Sequence, residues 1–435
     1  MYIIRALVRE ALVCFFTFGL GCLTLASPIK PEGGGKAETE PATVWLRKQA
    51  RNVSPAELKL LIRAQQTLLG NEVKSNAWKP YQGIVPSLGS YKGIWNWDAA
   101  FHALAVSHWD RELAEQQVEI LFSKQQSDGR LPDVLFQDGR IVTTITKPPV
   151  MAWAVAVIDH RAPDDRFIRE MYPRLVKLGD YWENKHGGKK DGLFYYSDAD
   201  IGEESGWDNS IRWDDGYRKS QTDNHRLWAI DLNCFMVMHY DAMAYLAGRL
   251  HMQDDQKHWL SEAHALAARI NEKLWDEKLG FYVDRDRITG KTGPALSPAG
   301  FMPLFAHIAS KERAERVAKL ADSPLYFYPG MPTAAYNTPG YESQGYWRGS
   351  AWLNTSFFAL KGLQEYGQSS LAEAMRGKLL GWVTRNPSIR EYYDSKSGEG
   401  AGAKGFGWSS AFTIAFVLDW KNENLTWLFQ NGPSM

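Results

Sequence analysis

Two carboxylates lie in sequence settings that suit acid–base chemistry. Asp208 follows Trp207 in the segment ESGWDNS, where an apolar indole would raise its pKa, as a general acid requires. Glu391 opens the segment EYYDSKSGEG, beside two tyrosines and a glycine-rich run. Hydrolysis of a glycosidic bond needs one protonated carboxyl group to protonate the leaving oxygen and one ionised carboxylate to activate water or attack carbon. The ordinary alternatives are a turn or helix-capping role for Asp208 and a surface charge for Glu391.

Tryptophan is frequent, with 18 residues in a chain of 435. A buried indole needs a partner for its N–H group, so core packing alone rarely recruits so many. Several tryptophans stand in carboxylate-bearing or arginine-bearing segments, namely WNWD (95–98), SGWD (205–208) and YWRG (346–349). This clustering favours a cleft lined with flat aromatic faces, which suit the apolar faces of a pyranose ring. A tryptophan-rich core is the alternative.

Helical periodicity dominates the chain, and few segments show the period-2 alternation of strands. The predicted helices cover about 43–70, 98–107, 111–126, 148–160, 164–186, 225–251, 254–275, 298–309, 311–321, 348–366, 368–385 and 409–420. Short turns between them alternate with long loops, and loops longer than about 12–15 residues are usually functional. If consecutive helices are antiparallel, all long loops emerge at one end. The pattern predicts an all-α fold, an (α/α)6 barrel with the carboxylates at its decorated face; a helical solenoid would give a similar alternation.

Six sequence blocks then point to a known family. In chain order they are WNWDAAFH (95–102), QSDGRLP (126–132), ESGWDNS (204–210), YWRGSAW (346–352), EYYDSKSGEG (391–400) and FGWSSA (406–411). Together they resemble glycoside hydrolase family 63, especially its short bacterial mannosylglycerate and glucosylglycerate hydrolases, and the related trehalases. The resemblance implies an (α/α)6 barrel and an inverting mechanism, with Asp208 as general acid and Glu391 as general base. Inversion leaves room for a water molecule, so the carboxyl groups are expected roughly 6.5–9.5 Å apart.

The resemblance also implies sugar-binding residues. Trp95 would stack on the non-reducing sugar, and Asp98 would accept hydrogen bonds from its hydroxyls. From its chemistry, Arg348 is expected to form another wall of the sugar pocket with Trp347 and Trp352, and its guanidinium is expected to keep Glu391 ionised. Gln126 belongs to a polar block near the family pocket, although the neighbouring Asp-Gly dipeptide is also an ordinary turn signal. The predicted substrate-binding set is Trp95, Trp97, Asp98, Gln126, Trp207, Trp347, Arg348, Trp352 and Trp408. The structural alternatives are helix capping by Asp98 and an ion pair of Arg348 elsewhere.

The start of the chain, 1–26, predicts a secretory signal peptide, because two arginines precede an apolar run and a small-residue cleavage site. Segment 27–42 is predicted to be a short linker, followed by a single catalytic domain over 43–435. Lipid attachment at Cys22 is an alternative interpretation of the same segment. Cleavage would leave Cys234 as the one cysteine of the mature chain, so no internal disulfide is expected.

Charge and motif content argue against other functional classes. Fifty basic and fifty acidic side chains cancel, so no strong field gathers nucleic acid or an anionic membrane surface. Beyond the first segment, no stretch reaches the roughly 18 apolar residues that a membrane span needs. No His-x-His, His-Glu-x-x-His or EF-hand spacing occurs, so neither a metal nor another cofactor is expected.

The leading prediction is an exported, inverting, exo-acting α-glycosidase that removes a terminal glucosyl or mannosyl residue from a small glycoside or oligosaccharide. An α,α-trehalase is the alternative within this class. A carbohydrate-binding protein on the same barrel, or an epimerase or lyase using His102 or His225, are the alternatives outside it. Export favours an extracytoplasmic α-glycoside over cytoplasmic solutes such as glucosylglycerate. The choice between gluco and manno substrates rests on one hydroxyl and stays open.

Overall fold

The computed structural model describes residues 41–49, 51–196, 201–214, 226–422 and 425–431. The predicted signal peptide, including Cys22, and most of the predicted linker lie outside the described residues, as does His225. The compact unit spans Glu40–Met435. Its first helix already covers the last two residues of the predicted linker.

Helices make up most of the described chain. In chain order they are α1 (Pro41–Gln49), α2 (Pro55–Gly70), α3 (Asn96–Val106), α4 (Arg111–Phe122), α5 (Met151–Arg161), α6 (Asp165–Lys185), α7 (Gly188–Asp191), α8 (Ile201–Ser205), α9 (Ile230–Arg249), α10 (Gln253–Lys273), α11 (Met302–Phe305), α12 (Lys311–Ala321), α13 (Leu353–Glu365), α14 (Ser369–Arg385) and α15 (Gly407–Leu418). Short 3-10 helices cover Asn76–Trp78, Ile211–Trp213, Pro298–Phe301, Tyr346–Arg348 and Trp427–Asn431.

Two kinds of helix alternate along the chain. Helices α3, α5, α9, α11, α13 and α15 are buried on nearly all sides, as expected of helices that are apolar all round. Each of these inner helices contacts the next one in this order, and α15 contacts α3, so the contacts form a closed cycle. Helices such as α2, α4, α6 and α10 bury one face and leave the other polar.

The helices predicted over 225–251 and 348–366 begin later than expected, at Ile230 and Leu353. Two further predicted helices differ more from those observed. The segment predicted as one helix over 43–70 is two helices, because Ser54 and Glu57 form a capping box that starts α2 at Pro55. The helix predicted over 298–309 is a 3-10 turn followed by the short α11. It ends early because the chain turns at His307, whose φ is 51°.

The long loops carry short strands, so the fold is mostly helical rather than purely helical. The strands are β1 (Glu72–Lys74), β2 (Gln82–Ile84), β3 (Gly93–Trp95), β4 (Val134–Phe136), β5 (Ile141–Val142), β6 (Leu227–Trp228), β7 (Trp275–Asp276), β8 (Phe281–Tyr282), β9 (Arg285–Asp286), β10 (Arg390–Tyr393) and β11 (Gly400–Lys404). They pair antiparallel as β1–β2, β3–β4–β5, β6–β9, β7–β8 and β10–β11. Strands this short carry too little alternation to be predicted.

Candidate active site

Glu391 lies on β10, with its carboxylate buried between two tyrosines. Oε1 accepts hydrogen bonds from the hydroxyl of Tyr91 at 2.8 Å and from that of Tyr346 at 3.4 Å. Oε2 accepts one from the backbone N–H of Ala403 on β11, at 2.8 Å. Burial raises the pKa of Glu391, and these three hydrogen bonds oppose that rise because they favour the ionised form. The carboxylate is therefore fixed in one orientation by donors.

The backbone of Tyr346 adopts an unusual conformation to reach this position. Its φ of 63° lies in the left-handed region, which disfavours residues with a Cβ atom. The ring packs edge-on against Trp352 at 5.1 Å and against Tyr392 at 5.3 Å between centroids. This aromatic packing holds the strained residue with its hydroxyl toward Glu391.

Gly402 on β11 leaves space for the Glu391 side chain. Its φ is 69°, and a Cβ atom there would lie 2.5 Å from Oε2 of Glu391 and 2.7 Å from its Cβ. We expect Gly402→Ala to displace the carboxylate and to lower kcat by about 10–100-fold, since small misplacements of catalytic groups are costly. Steady-state kinetics and thermal unfolding would measure both effects.

Gly405 provides the matched control on the same hairpin. Its φ is also positive, at 60°, but a Cβ there would meet nothing closer than a methyl group of Thr67 at 3.9 Å. Gly405→Ala therefore imposes similar backbone strain without touching Glu391. Equal losses of kcat in both alanine variants would show that strain, not displacement of the carboxylate, is responsible.

Asp208 follows α8 in a tight turn. Gly206 has a φ of 77°, and a Cβ there would lie 2.3 Å from the Trp97 ring, so only glycine fits. The next residue, Trp207, donates its backbone N–H to Oγ of Ser205 at 3.1 Å. After this turn, Asp208 is mostly covered by neighbouring protein atoms, and a small part of its surface stays exposed to solvent.

The environment of Asp208 favours its protonated form. The pKa of Asp208 is raised to about 7, and burial is the largest cause. Lys147 opposes this rise, and the charges of Glu203, Asp133 and Glu391 contribute to it. Its carboxyl accepts no hydrogen bond from the residues that the structure describes, in contrast to Glu391. A proton is therefore available at this position near neutral pH.

Two anchors hold the Asp208 segment. The side chain of Asn209 donates to the carbonyl of Gly345 at 3.2 Å and accepts from the backbone N–H of Trp347 at 2.9 Å, which ties the segment to the loop of Tyr346. The completely buried Arg212 donates to both oxygens of Asp231 at 2.7 and 2.9 Å. The same guanidinium donates to both oxygens of Asp284 at 2.8 and 2.9 Å.

A buried lysine lies among the carboxyl groups. Lys147 is 7% exposed, its Nζ lies 3.1 Å from Oδ1 of Asp133, and it donates a hydrogen bond to the carbonyl of Glu203. Burial lowers the pKa of Lys147, but the charges of Asp133, Asp208 and Glu203 outweigh burial and raise it. The ammonium therefore stays charged beside Asp208.

Asp98 belongs to the same cluster. It lies within the first turn of α3, and the residue that precedes the helix is Trp95, whose side chain makes no capping hydrogen bond. Burial raises the pKa of Asp98 well above its usual value, Lys147 opposes the rise, and Glu391 and Asp133 add to it. These mutual influences show that the structure brings Asp98, Asp208 and Glu391 to one site.

Sequence reasoning missed four residues of this site: Tyr91, Asp133, Lys147 and Tyr346. Asp133 directly follows the QSDGRLP block and Tyr346 opens the YWRGSAW block, so position within a block was an available signal for both. Tyr91 and Lys147 lie outside every block and in no recognisable motif. Only their spatial contacts assign them to the site.

The family model of the mannosylglycerate hydrolase MGH1-like glycoside hydrolase domain matches residues 91–409. The chain belongs to this glycoside hydrolase family. Mannosylglycerate hydrolase MGH1 of Selaginella moellendorffii is 27% identical over 411 residues, which cover 77% of this chain and 82% of the relative. The mannosylglycerate hydrolase of Thermus thermophilus is 28% identical over 403 residues, covering 76% and 95%. A periplasmic trehalase of Salmonella paratyphi B is 25% identical over 398 residues, covering 78% and 68%.

Solved structures agree with this assignment. The GH63 mannosylglycerate hydrolase from Thermus thermophilus in complex with glucose aligns with a TM-score of 0.70 and 27% identity, covering 82% of this chain and 99% of that one. The neutral trehalase Nth1 of Saccharomyces cerevisiae shares the fold, with a TM-score of 0.61 and 18% identity. The resemblance to family 63 and the trehalases is confirmed.

In this glycoside hydrolase, most of the predicted tryptophans form a buried cluster behind the site. Trp347 stacks on Trp352 with centroids 3.8 Å apart and planes 7° apart, and Trp97 meets Trp408 edge to face at 5.1 Å. At most 4% of the side chain is exposed in Trp97, Trp207, Trp347, Trp352 and Trp408. Trp352 has no exposed surface, so it supports the site instead of contacting a ligand. Trp95 is partly exposed.

Arg348 has a different partner from the one expected. Its Nη1 and Nη2 donate to Oδ1 and Oδ2 of Asp214 at 3.1 and 2.8 Å. The expected pairing with Glu391 is wrong, because Asp214 engages the guanidinium and the tyrosine hydroxyls engage Glu391. Gln126 donates to the carbonyl of Lys124 at 2.8 Å within its own turn. No hydrogen bond among the described residues joins Gln126 to the carboxylates.

Proposed function

We propose that the protein is an inverting, exo-acting α-glycosidase that removes a terminal α-glucosyl or α-mannosyl residue from a small glycoside or oligosaccharide. The contrast between two carboxyl groups carries the proposal. Asp208 lacks hydrogen-bond donors among the described residues and has a pKa of about 7, whereas Glu391 accepts three hydrogen bonds. Environments that separate two carboxyl groups in this way assign one as acid and the other as base.

The proposed mechanism uses both groups in one step. Asp208 gives its proton to the leaving oxygen as the bond from that oxygen to the anomeric carbon breaks. Glu391 takes a proton from a water molecule, whose oxygen forms the new bond on the opposite face of the sugar. The hydroxyls of Tyr91 and Tyr346 keep Glu391 aimed at that water. The expected carboxyl separation of roughly 6.5–9.5 Å stays a prediction.

We also propose that the helices form an (α/α)6 barrel. The closed cycle of contacts from α3 through α5, α9, α11, α13 and α15 supports six inner helices. Outer helices such as α2, α4 and α10 each contact an inner helix, as hairpin partners would. In this proposed barrel, the carboxyl group of Asp98 accepts hydrogen bonds from the hydroxyls of a sugar that lies beside Trp95.

An α,α-trehalase is the second candidate, supported by the likeness to a periplasmic trehalase. Two of the described cations near the carboxyl groups are paired with carboxylates, Lys147 with Asp133 and Arg348 with Asp214. A third, Arg390, acts on Glu391 and donates to the carbonyl of Gly402. The two ion pairs favour an uncharged leaving group, such as a sugar, over a glycerate.

Epimerase or lyase chemistry has less support. It would need a histidine base at the site, and His102 is completely buried with its Nδ1 3.1 Å from the carbonyl oxygen of Ile84. Burial lowers the pKa of His102 to about 3, so it stays neutral and is a poor proton acceptor near neutral pH.

Proton NMR of the sugar released during the first minutes of turnover tests the proposal. The substrates are trehalose, glucosylglycerate, mannosylglycerate, kojibiose, nigerose and maltose. Initial appearance of the β-anomer from an α-glycoside is expected, and the substrate that reacts identifies the leaving group. From trehalose, whose leaving glucose is released as the α-anomer, inversion should give equal amounts of both anomers at first. Release of the transferred glycosyl residue as the α-anomer, which from trehalose means α-glucose alone, would refute inversion and the assigned roles, and sugar binding without turnover would favour a binding protein.

We further propose that the protein is exported. The proposal rests on the signal-like segment 1–26 and on the likeness to a periplasmic enzyme. Within the described residues, no helix is both long and apolar enough to cross a membrane. Intact-mass analysis of the protein expressed from the full chain should show an N-terminus at Ser27; a lipid on Cys22 would support the anchored alternative, and an uncleaved chain would refute export by cleavage.

A further inference from the structure

The ammonium of Lys147 connects three separate segments of the site. Lys147 itself lies just before α5, its ionic partner Asp133 directly precedes β4, and its carbonyl partner Glu203 lies in α8. Helix α8 leads directly into the turn that carries Asp208. The contacts of Lys147 therefore link the segment that carries Asp208 to the segments that carry Lys147 and Asp133.

The charge of Lys147 is distinctive among its neighbours. The described groups that act most strongly on Asp208 are Lys147, Glu203, Asp133 and Glu391, and of these only Lys147 is positive. The phenols of Tyr91 and Tyr346 face the same carboxyls, and their raised pKa keeps them neutral. Among these groups, one positive charge thus acts on Asp208 against three carboxyl groups, whereas Arg390 acts on Glu391.

We propose that Lys147, held in place by Asp133, is a positioning residue that sets the proton affinity of the acid Asp208 and so the upper pH limit of catalysis. This inference rests on the proposed role of Asp208. A nearby positive charge stabilises the ionised carboxylate, whereas the negative charge of Asp133 destabilises it. The two members of the ion pair therefore act on Asp208 in opposite directions.

The pH dependence of kcat/KM separates an electrostatic role from a merely structural one. The basic limb of this profile reports loss of the proton from Asp208 in the free enzyme. Lys147→Met should move the basic limb upward by about 1 pH unit or more, and Asp133→Asn should move it downward. Asp98 faces the same ammonium, so Lys147→Met should also raise KM through weaker sugar binding.

Conservative variants complete the experiment. Lys147→Arg keeps the charge and should leave the basic limb near its wild-type position. If Lys147→Met does not fold, Lys147→Gln and Asp133→Asn still test the opposite shifts. Shifts in the same direction, or an unmoved limb in both Asp133→Asn and the folded uncharged Lys147 variant, would overturn the inference.

Asp208→Asn, measured in the same series, separates this inference from the proposed function. An inactive Asp208→Asn together with an unmoved basic limb in the Lys147 and Asp133 variants would reject only the role of Lys147. An active Asp208→Asn would reject the proposed acid and, with it, the inference that depends on it.

Discussion

Glu391→Gln and Asp208→Asn should each lower kcat on a natural glycoside by about 10²–10⁴-fold, the usual contribution of a positioned acid or base. In Glu391→Gln the amide oxygen can still accept from Tyr91 and Tyr346, so two of the three hydrogen bonds are kept, and the bond from the backbone N–H of Ala403 is lost. The amide cannot take a proton from water. In Asp208→Asn the amide has no acidic proton for the leaving oxygen.

The leaving group distinguishes the two roles. An α-glycosyl fluoride or an aryl α-glycoside with an acidic phenol departs without protonation, so Asp208→Asn should recover much of its rate on such a substrate. Glu391→Gln should stay slow, because attack by water still needs a base. The same recovery in both variants, or in neither, would contradict the assigned roles.

Stability measurements show whether lost activity reflects unfolding. The pKa of Asp208 is about 7 in the folded protein, against an ordinary value near 3.8. Between these pH values the folded chain keeps a proton that the unfolded chain releases, so this group makes the wild type less stable as pH rises through the window. Asp208→Asn removes that penalty. Denaturant unfolding should find the variant more stable by about 1–4 kcal/mol at pH 8 and unchanged at pH 4.

Sequence signals pointed to those members of the candidate site that stand in recognisable segments. Asp208 and Glu391 stand in recognisable blocks, and the structure brings them together with Asp98. The partners of Lys147 and Arg348 could not be predicted, because Glu203 is 56 residues from Lys147 and Asp214 is 134 residues from Arg348. Such long-range hydrogen bonds and ion pairs depend on how the loops fold against one another.

Exposure was equally hard to predict for the aromatic residues. Trp95 and Trp352 are the same residue type in similar segments, yet one is partly exposed and the other has no exposed surface. An indole can line a sugar site or fill a core, and the sequence pattern does not distinguish these roles. The long helices could be predicted because their apolar pattern repeats over many residues. Strands of two to five residues are too short to show a pattern.

Arg212→Met should destabilise the protein by about 3–5 kcal/mol, the usual cost of removing one partner from a buried ion pair. Arg212 is completely buried and bonds both oxygens of Asp231 and of Asp284. Methionine fills part of the space but leaves two buried carboxylates without their cation. Denaturant unfolding at pH 7 would measure the loss.

Arg174→Ala is the matched surface control. Arg174 pairs with Glu170 at 3.1 Å on α6, with both side chains partly exposed, so its loss should cost less than about 1 kcal/mol. Adding Asp231→Asn and Asp284→Asn to Arg212→Met should recover part of the stability, because the unpaired charges are then gone. Equal unfolding midpoints for Arg212→Met and the wild type would contradict a structural role for the triad of Arg212, Asp231 and Asp284.

The triad also bears on catalysis, because its guanidinium lies between the rings of Trp207 and Trp213, 4.7 and 4.5 Å from their centroids. Asp208 directly follows Trp207, so loss of Arg212 loosens the segment that aims the acid. Any folded Arg212→Met protein should therefore have a lower kcat on natural glycosides. Its rate on an α-glycosyl fluoride should suffer less, because that substrate does not need a well-placed Asp208 proton.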